Sequence, residues 1–450
     1  MIVYLESIRN CLEGYTPAML TTSARDGTPN VAYLSQVHYV DSQHVALSFQ
    51  FFNKTRENVL ANPNAIVLIF DPDTGDQYRL TLRYLQTETE GPLFESMKAK
   101  LAGIASHSGM SKVFRLLGSD VYRVLDIEPV RVPYALPPPP PRTLLGALRT
   151  ISGQLMASSD LSSLLEKVLV QLELLFGMRH AMILMYDEAG RRLYTVATRG
   201  YPESGVGSEI ALGEGVIGVA AQQRTPIRIS HMAQEYLYSH AVRRSIAQSD
   251  PSYTLETEIP LPGLPESRSQ VAVPIIIGER LLGVLYAESP EDKRFNYEDE
   301  DALVALAAQL ALAIRMLEVS TSPAEADGDN DHPTPLCDNT PVTIRHFAEN
   351  DSVFIGDDYL IKGVAGAIFW KLLRDHVQHK RTEFSNRELR LDSTLRLPDI
   401  CDNLEARLIL LQRRLTERCD FLRVEKTGRG RFRLVVNRTL RLDEVRDPQR

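Results

Sequence analysis

Five consecutive prolines, Pro137 to Pro141, set the first hard limit on what this chain can fold into. Proline fixes φ and lacks an N–H, so such a run can enter neither a helix interior nor a central strand. PYALPPPPPR, residues 133–142, is therefore an extended polyproline II spacer of about 3 Å per residue, and it holds folded units apart. At 450 residues the chain is too long for one core and implies two to four domains. A second break is STSPAEADGDNDHPTPLCDNTP, residues 320–341, which is acidic, rich in Pro, Asp and Ser, and without periodicity. It reads as a disordered linker. Three segments remain: 1–133, 143–319 and 342–440.

Composition narrows the class. With 44% hydrophobic and 24% charged residues the chain has the balance of an ordinary soluble protein. No apolar run approaches the ~18 residues of a membrane span, and MIVYLESIRNCLEG carries acidic residues where a signal peptide needs a basic start. A cytoplasmic protein with no membrane partner is expected. Cys11, Cys337, Cys401 and Cys419 form no CxxC or Cys/His pattern, so neither a disulfide framework nor a metal site is expected. Net charge is −8, unevenly spread: residues 343–440 hold 19 Lys and Arg against 14 Asp and Glu, so one end alone is basic.

In the middle segment, LGEGVIGVAAQQRTPIRISH (212–231) and SRSQVAVPIIIGERLLGVLYAES (267–289) alternate short β-branched runs with turn glycines, as strand, loop, short helix and hairpin do. Gly213, Gly215 and Gly218 make a formal GxGxxG. A dinucleotide turn would also need a βαβ unit and an acidic residue about twenty positions on, and neither is present. Ahead of these pieces, Asp160 caps a helix whose Leu161, Leu164, Leu165, Val168, Leu169, Leu172 and Leu175 form one stripe before Gly177 stops it. A closing helix starts after Asn296. Together the pieces over 143–319 resemble a GAF domain, a small-molecule sensing fold on an antiparallel sheet. The resemblance implies a non-covalently bound organic ligand under a lid at 230–267, and helices able to pair a dimer. His180, His231 and His240 are only weak signs of haem or metal.

The first segment offers strands at 17–22, 30–39, 45–51, 65–70 and 77–89, with Asp26-Gly27 as a hairpin signal and a helix over 54–61. Lys54, Thr55 and Arg56 open that helix, where free N–H groups, the positive dipole end and two cations favour a phosphate; a merely solvated basic helix start is the alternative. FFNKTREN–helix–NPNA–strand, with DGTPNVAYL before and SDVYRVLDIEPVRV after, resembles the FMN-binding split barrel of the pyridoxamine-phosphate-oxidase-like family. That resemblance implies FMN contacts at Ser48, Phe49, Lys54, Thr55, Arg56 and Gln77 in a homodimer. VAYLSQVHY lacks the arginine the oxidases use there, and no C-terminal Trp/Arg pair is visible, so flavin binding is implied more directly than oxidase chemistry.

The last segment gives small strands VTIRHF and SVFIG, a helix GVAGAIFWKLLRDHVQHK, and a short helix with Ser385 and Glu388 as a capping box. A third helix, capped by Asp402, carries Leu404, Leu408, Leu411 and Leu415, and the hairpin FLRVEK–TGRG–RFRLVV follows. NLEARLILLQRRL followed by VEKTGRGRFRLVV resembles the winged helix-turn-helix effector domains of bacterial response regulators. The resemblance implies duplex DNA as partner, with Arg407, Arg413, Arg414, Arg418, Lys426, Arg429 and Arg431 on the contact surface. Arg407 and Arg414 lie two turns apart on the flank of the leucine stripe and are expected to face the groove; a wing used for protein contact is the alternative.

The expected fold is thus multidomain α+β: split β-barrel, GAF-type sheet with helices, then winged helix. The expected function is a signalling or transcriptional regulator sensing flavin, redox state or a small ligand. The alternative is an FMN-dependent oxidoreductase with regulatory attachments.

Overall fold

The computed structural model describes residues 3–13, 17–50, 54–72, 74–107, 116–130, 144–230, 259–320, 338–356, 358–392, 395, 404–428 and 430–445. The first segment folds as a seven-stranded antiparallel sheet of β1 (Ala18–Ser23), β2 (Pro29–Leu34), β3 (Val37–Asp41), β4 (His44–Phe49), β5 (Asn64–Phe70), β6 (Gln77–Glu88) and β7 (Gly118–Val130). Their order is β2-β1-β5-β6-β7-β4-β3. β6 and β7 are long, and register shifts at Thr81/Leu82 and Tyr84/Gln86 let the pair bend around a core of Leu20, Val45, Leu47, Val67, Leu80 and Tyr122. The strand expected over 30–39 is two strands, because the chain breaks where Gln36 accepts the Ser48 amide through its carbonyl. Helix α1 spans Lys54–Ala61, as its flanking Asn62-Pro63 predicts. Helix α2 (Pro92–His107) was not anticipated, although Pro92 at its first position after Gly91 is a helix-start signal.

The middle segment is a six-stranded sheet. Its strands are β8 (His180–Asp187), β9 (Arg192–Arg199), β10 (Glu209–Ala211), β11 (Ile227–Ile229), β12 (Ser269–Ile277) and β13 (Arg280–Ser289), in order β10-β9-β8-β13-β12-β11. Helices α3 (Leu144–Met156), α4 (Leu161–Phe176) and α6 (Tyr297–Ser320) cover one face, and α5 (Gly215–Gln223) covers the other. The local signals act as expected: the Asp160 carboxylate accepts from the Ser163 amide, Gly177 ends α4 with φ 66°, and the Asn296 side chain accepts from the Asp299 amide. Of the three glycines of GxGxxG, Gly213 and Gly215 supply positive φ at the turn, and Gly218 serves packing. A Cβ on Gly218 would stand 2.3 Å from the Ala211 carbonyl oxygen, so only glycine lets α5 approach the end of β10.

The last segment begins with β14 (Asp338–Phe347), β15 (Ser352–Ile355) and β16 (Asp358–Ile361), followed by α7 (Gly363–His379), β17 (Glu383–Ser385) and α8 (Asn386–Leu391). Helix α9 (Leu404–Arg418) leads to the hairpin β18 (Leu422–Gly428) and β19 (Arg431–Val436), and β20 (Arg438–Val445) returns. β20 pairs parallel with β14, so the end of this module is tied to its beginning, a closure the local pattern did not reveal. The Ser385–Glu388 capping box forms. The expected Asp402 cap, the polyproline spacer at 133–142, residues 321–337 of the expected linker (320–341) and residues 231–258 of the expected lid (230–267), with His231 and His240, lie outside the described residues. Residues 338–341, expected in the linker, instead open β14.

Candidate functional site

The basic turn of the first sheet divides its cations between two jobs. Lys54 is exposed at the start of α1, with Glu57 3.7 Å away, and the Thr55 hydroxyl accepts from the Asn30 amide group at 2.9 Å. Arg56 turns inward. Its guanidinium donates to Asp120 at 2.6 Å and to the Thr87 hydroxyl at 2.8 Å, and it lies 4.5 Å over the Phe49 ring. Burial outweighs these bonds and holds the Asp120 carboxyl above its ordinary range. Ser48 is buried at the end of β4 beside Phe49, so Ser48, Phe49 and Arg56 share one neighbourhood. Gln77 does not join them: it opens β6, ten residues from the Thr87 that Arg56 reaches, on the order of 30 Å along the strand.

The arginines of α9 are also divided, and here the expectation of a groove-facing flank needs correction. Leu404, Leu408, Leu411 and Leu415 pack into their own module as expected, but Arg407 and Arg414 are only 6% and 3% exposed. Arg407 lies 3.1 Å from the Asp187 carboxylate and 4.0 Å over the Tyr194 ring, both from the middle sheet. Arg413 donates to the Val196 carbonyl at 2.6 Å, and Arg414 donates to the Leu360 carbonyl at 3.0 Å and to Glu417. The partners of Arg407 and Arg413 sit in a different module, so no pattern within the helix announces them, while those of Arg414 belong to its own module. Arg418, Lys426 and Arg431 are exposed, as expected, while Arg429 lies outside the described residues.

Two family models match the chain. That for pyridoxamine 5'-phosphate oxidase covers residues 5–132, and that for the GAF domain covers residues 158–315. The first two modules are a pyridoxamine-phosphate-oxidase-type split barrel and a GAF domain. Among solved structures, the GAF domain of the Acinetobacter phosphoenolpyruvate-protein phosphotransferase is similar at 24% identity over 40% of this chain and 97% of that one, with a TM-score of 0.32. An FMN-binding protein from Syntrophomonas wolfei is similar at 20% identity over 28% and 86%, with a TM-score of 0.25. The free methionine-R-sulfoxide reductase of Neisseria meningitidis, solved with its substrate, is similar at 20% identity over 38% and 87%, with a TM-score of 0.29. No curated protein matches.

Between the split barrel and the GAF domain lies a buried charge cluster that sequence reasoning missed. Arg228 of β11, 1% exposed, donates to Glu13 of the barrel at 2.7 Å, to Glu300 of α6 at 2.6 Å and to the Phe295 carbonyl at 3.1 Å. Lys100 of α2 stands 4.0 Å from Glu13 and donates to the Tyr297 hydroxyl at 3.2 Å, while Arg9 pairs with Asp301. Burial, then the neighbouring Arg228 charge, pushes the Lys100 ammonium down to about 8. The sequence signal was slight: one arginine between two isoleucines of a short strand. Among the described residues no cluster of His, Cys, Asp and Glu has metal-site geometry, and no helix is long and apolar enough to cross a membrane.

Proposed function

We propose that this chain is a regulator in which the split barrel and the GAF domain sense a flavin or another small organic ligand, and in which a winged helix-turn-helix at 342–440 binds duplex DNA. The observation that carries the output is the order of α7, capped α8 and α9 followed at once by a β-hairpin that displays Lys426 and Arg431. Such a surface suits phosphate contacts. The family match and the exposed Lys54 at a helix start support FMN in the barrel, formed as a homodimer, with Lys54 and Thr55 holding the phosphate and Ser48 and Phe49 near the ring. Arg56 is occupied by Asp120 and serves the site by shaping it. Bound flavin would supply a two-electron redox group; a GAF ligand would be held non-covalently.

The test has two parts. The absorption spectrum of the purified chain with added FMN should show saturable binding, and a chain that takes up no FMN at saturation removes the cofactor. Affinity for random-sequence duplexes across a salt series should fall steeply with salt, and Arg431→Ala should lower it for all sequences and reduce the slope by about one unit. Salt-insensitive or absent binding would leave the C-terminal module as a protein-contact domain.

A further inference from the structure

We propose that the GAF domain holds α9 shut, so that DNA and the GAF domain compete for the same side of this helix. The inference rests on the winged-helix reading and adds its regulation. Helix α9 is buried on two opposed sides. At 100° per residue Leu404, Leu408, Leu411 and Leu415 form one stripe toward α7, and Arg407, Leu410, Arg413, Arg414 and Glu417 lie on the flank and far side. That far side meets the GAF domain through Arg407, Leu410 and Arg413, and only its end at Glu417 stays open to solvent.

The contacts are specific and chemically unlike a hydrophobic core. Asp187 and the Tyr194 ring hold the Arg407 guanidinium, the Val196 carbonyl accepts from Arg413, and Glu417 accepts from the Ser204 hydroxyl at 2.6 Å. Lys362, at the start of α7, adds a 3.4 Å pair with Glu209. Gly207 lies at this contact: a Cβ there would stand 3.4 Å from the Leu410 side chain and 3.6 Å from Arg414, ordinary van der Waals distances, and its φ of 91° is what calls for glycine. A carboxylate, an aromatic face and a backbone carbonyl stand where phosphate oxygens and bases would meet these arginines, so the surface imitates the ligand it excludes. Arginine side chains cannot serve both partners at once. In the closed form the hairpin residues Lys426 and Arg431 stay exposed, so closure removes the helix contacts while leaving a weak electrostatic remainder.

Closure also has a route to the sensing side. The segment carrying Ser204 and Gly207 runs straight into β10, the Gly213 turn and α5, on the sheet face opposite the helices. A ligand that favours a different position of this segment would release α9 by its differential affinity for the two arrangements, and by no more than that.

The experiment uses the full chain with the GAF-surface double substitution Asp187→Lys/Glu209→Lys, and Asp187→Asn as a milder variant should the double one fail to fold. Binding to a random-sequence duplex is measured by anisotropy across a salt series, and hydrogen exchange is followed in 193–211 and 404–418. The expected result is faster exchange in both segments and about 5- to 100-fold tighter DNA binding with a steeper salt slope. Unchanged exchange in both segments overturns the docking. Faster exchange with wild type and variant binding DNA equally overturns the masking and leaves the DNA reading standing. Faster exchange with no DNA binding by either chain removes the DNA reading, and this proposal with it.

Discussion

Two inward-turned arginines, Arg56 in the split barrel and Arg407 in α9, look alike in sequence, for each lies in a basic helical stretch expected to meet phosphate. In the structure each sits over an aromatic ring with a carboxylate beside it, Phe49 and Asp120 for the first, Tyr194 and Asp187 for the second. They differ in where the carboxylate comes from. Asp120 belongs to the same module as Arg56, so separating the pair means opening the barrel. Asp187 belongs to another domain, so the second pair can part while both domains stay folded. The same chemistry is architecture within a module and a latch between modules. Arg228, which joins barrel and GAF domain, is the intermediate case: it crosses a domain boundary yet is wholly buried.

That intermediate case should give the largest effect. Arg228→Ala strands Glu13, 3% exposed at its side chain, without its closest cation, and removing one partner of a buried pair costs about 3–5 kcal/mol. Urea unfolding followed on the full chain should show the barrel and GAF transitions separating as well as moving to lower denaturant. If Arg228→Ala unfolds at the wild-type midpoint in one transition, the cluster is not what joins the two domains, and the distinction between latch and junction fails.

Next is the pH dependence of that junction. Lys100 sits about 8 in the folded chain against an ordinary 10.5. Between those values the unfolded chain keeps a proton that the folded chain has released, so stability rises with pH across this window, by at most about 3 kcal/mol. Below about pH 8 the folded chain carries the full cost of the buried charge. Lys100→Met should flatten the rise between pH 8 and 10. Parallel stability curves for wild type and variant would mean that Lys100 is solvated in solution and that the junction opens readily.

The sequence showed the parts of this chain that are decided locally. Asp160 and Gly177 bound α4, the Ser385–Glu388 box starts α8, and Asn62-Pro63 ends α1, because caps and breakers act within a few residues. It did not show which arginine would be free, because that depends on partners brought close only by the finished fold. Asp120 is 64 positions from Arg56, and Glu13 is 215 from Arg228. β20 was missed for a related reason: an exposed strand of alternating Arg, Leu and Asp owes its pairing to β14 rather than to its own apolar content. Helix α2 is different, since Gly91-Pro92 was there to be read.

The smallest effects separate Arg56 from its neighbour Lys54. If Arg56 is architecture, Arg56→Ala should lower barrel stability by about 2 kcal/mol, because Asp120 and Thr87 lose a charged donor in a half-buried site. Its effect on FMN affinity should be slight once the protein is folded. Lys54 is exposed and has only a long pair with Glu57, so Lys54→Ala should leave the unfolding midpoint where it is. It should instead weaken FMN by roughly ten- to a hundredfold, the loss of one charged phosphate contact worth about 1.5–3 kcal/mol. Thermal melts with and without FMN, run on both variants, give the two quantities together. The opposite assignment, with Arg56→Ala abolishing flavin binding at unchanged stability, would mean that phosphate displaces Asp120 from Arg56. The barrel arginine would then be a latch as well, and the contrast with Arg407 would be one of distance rather than of kind.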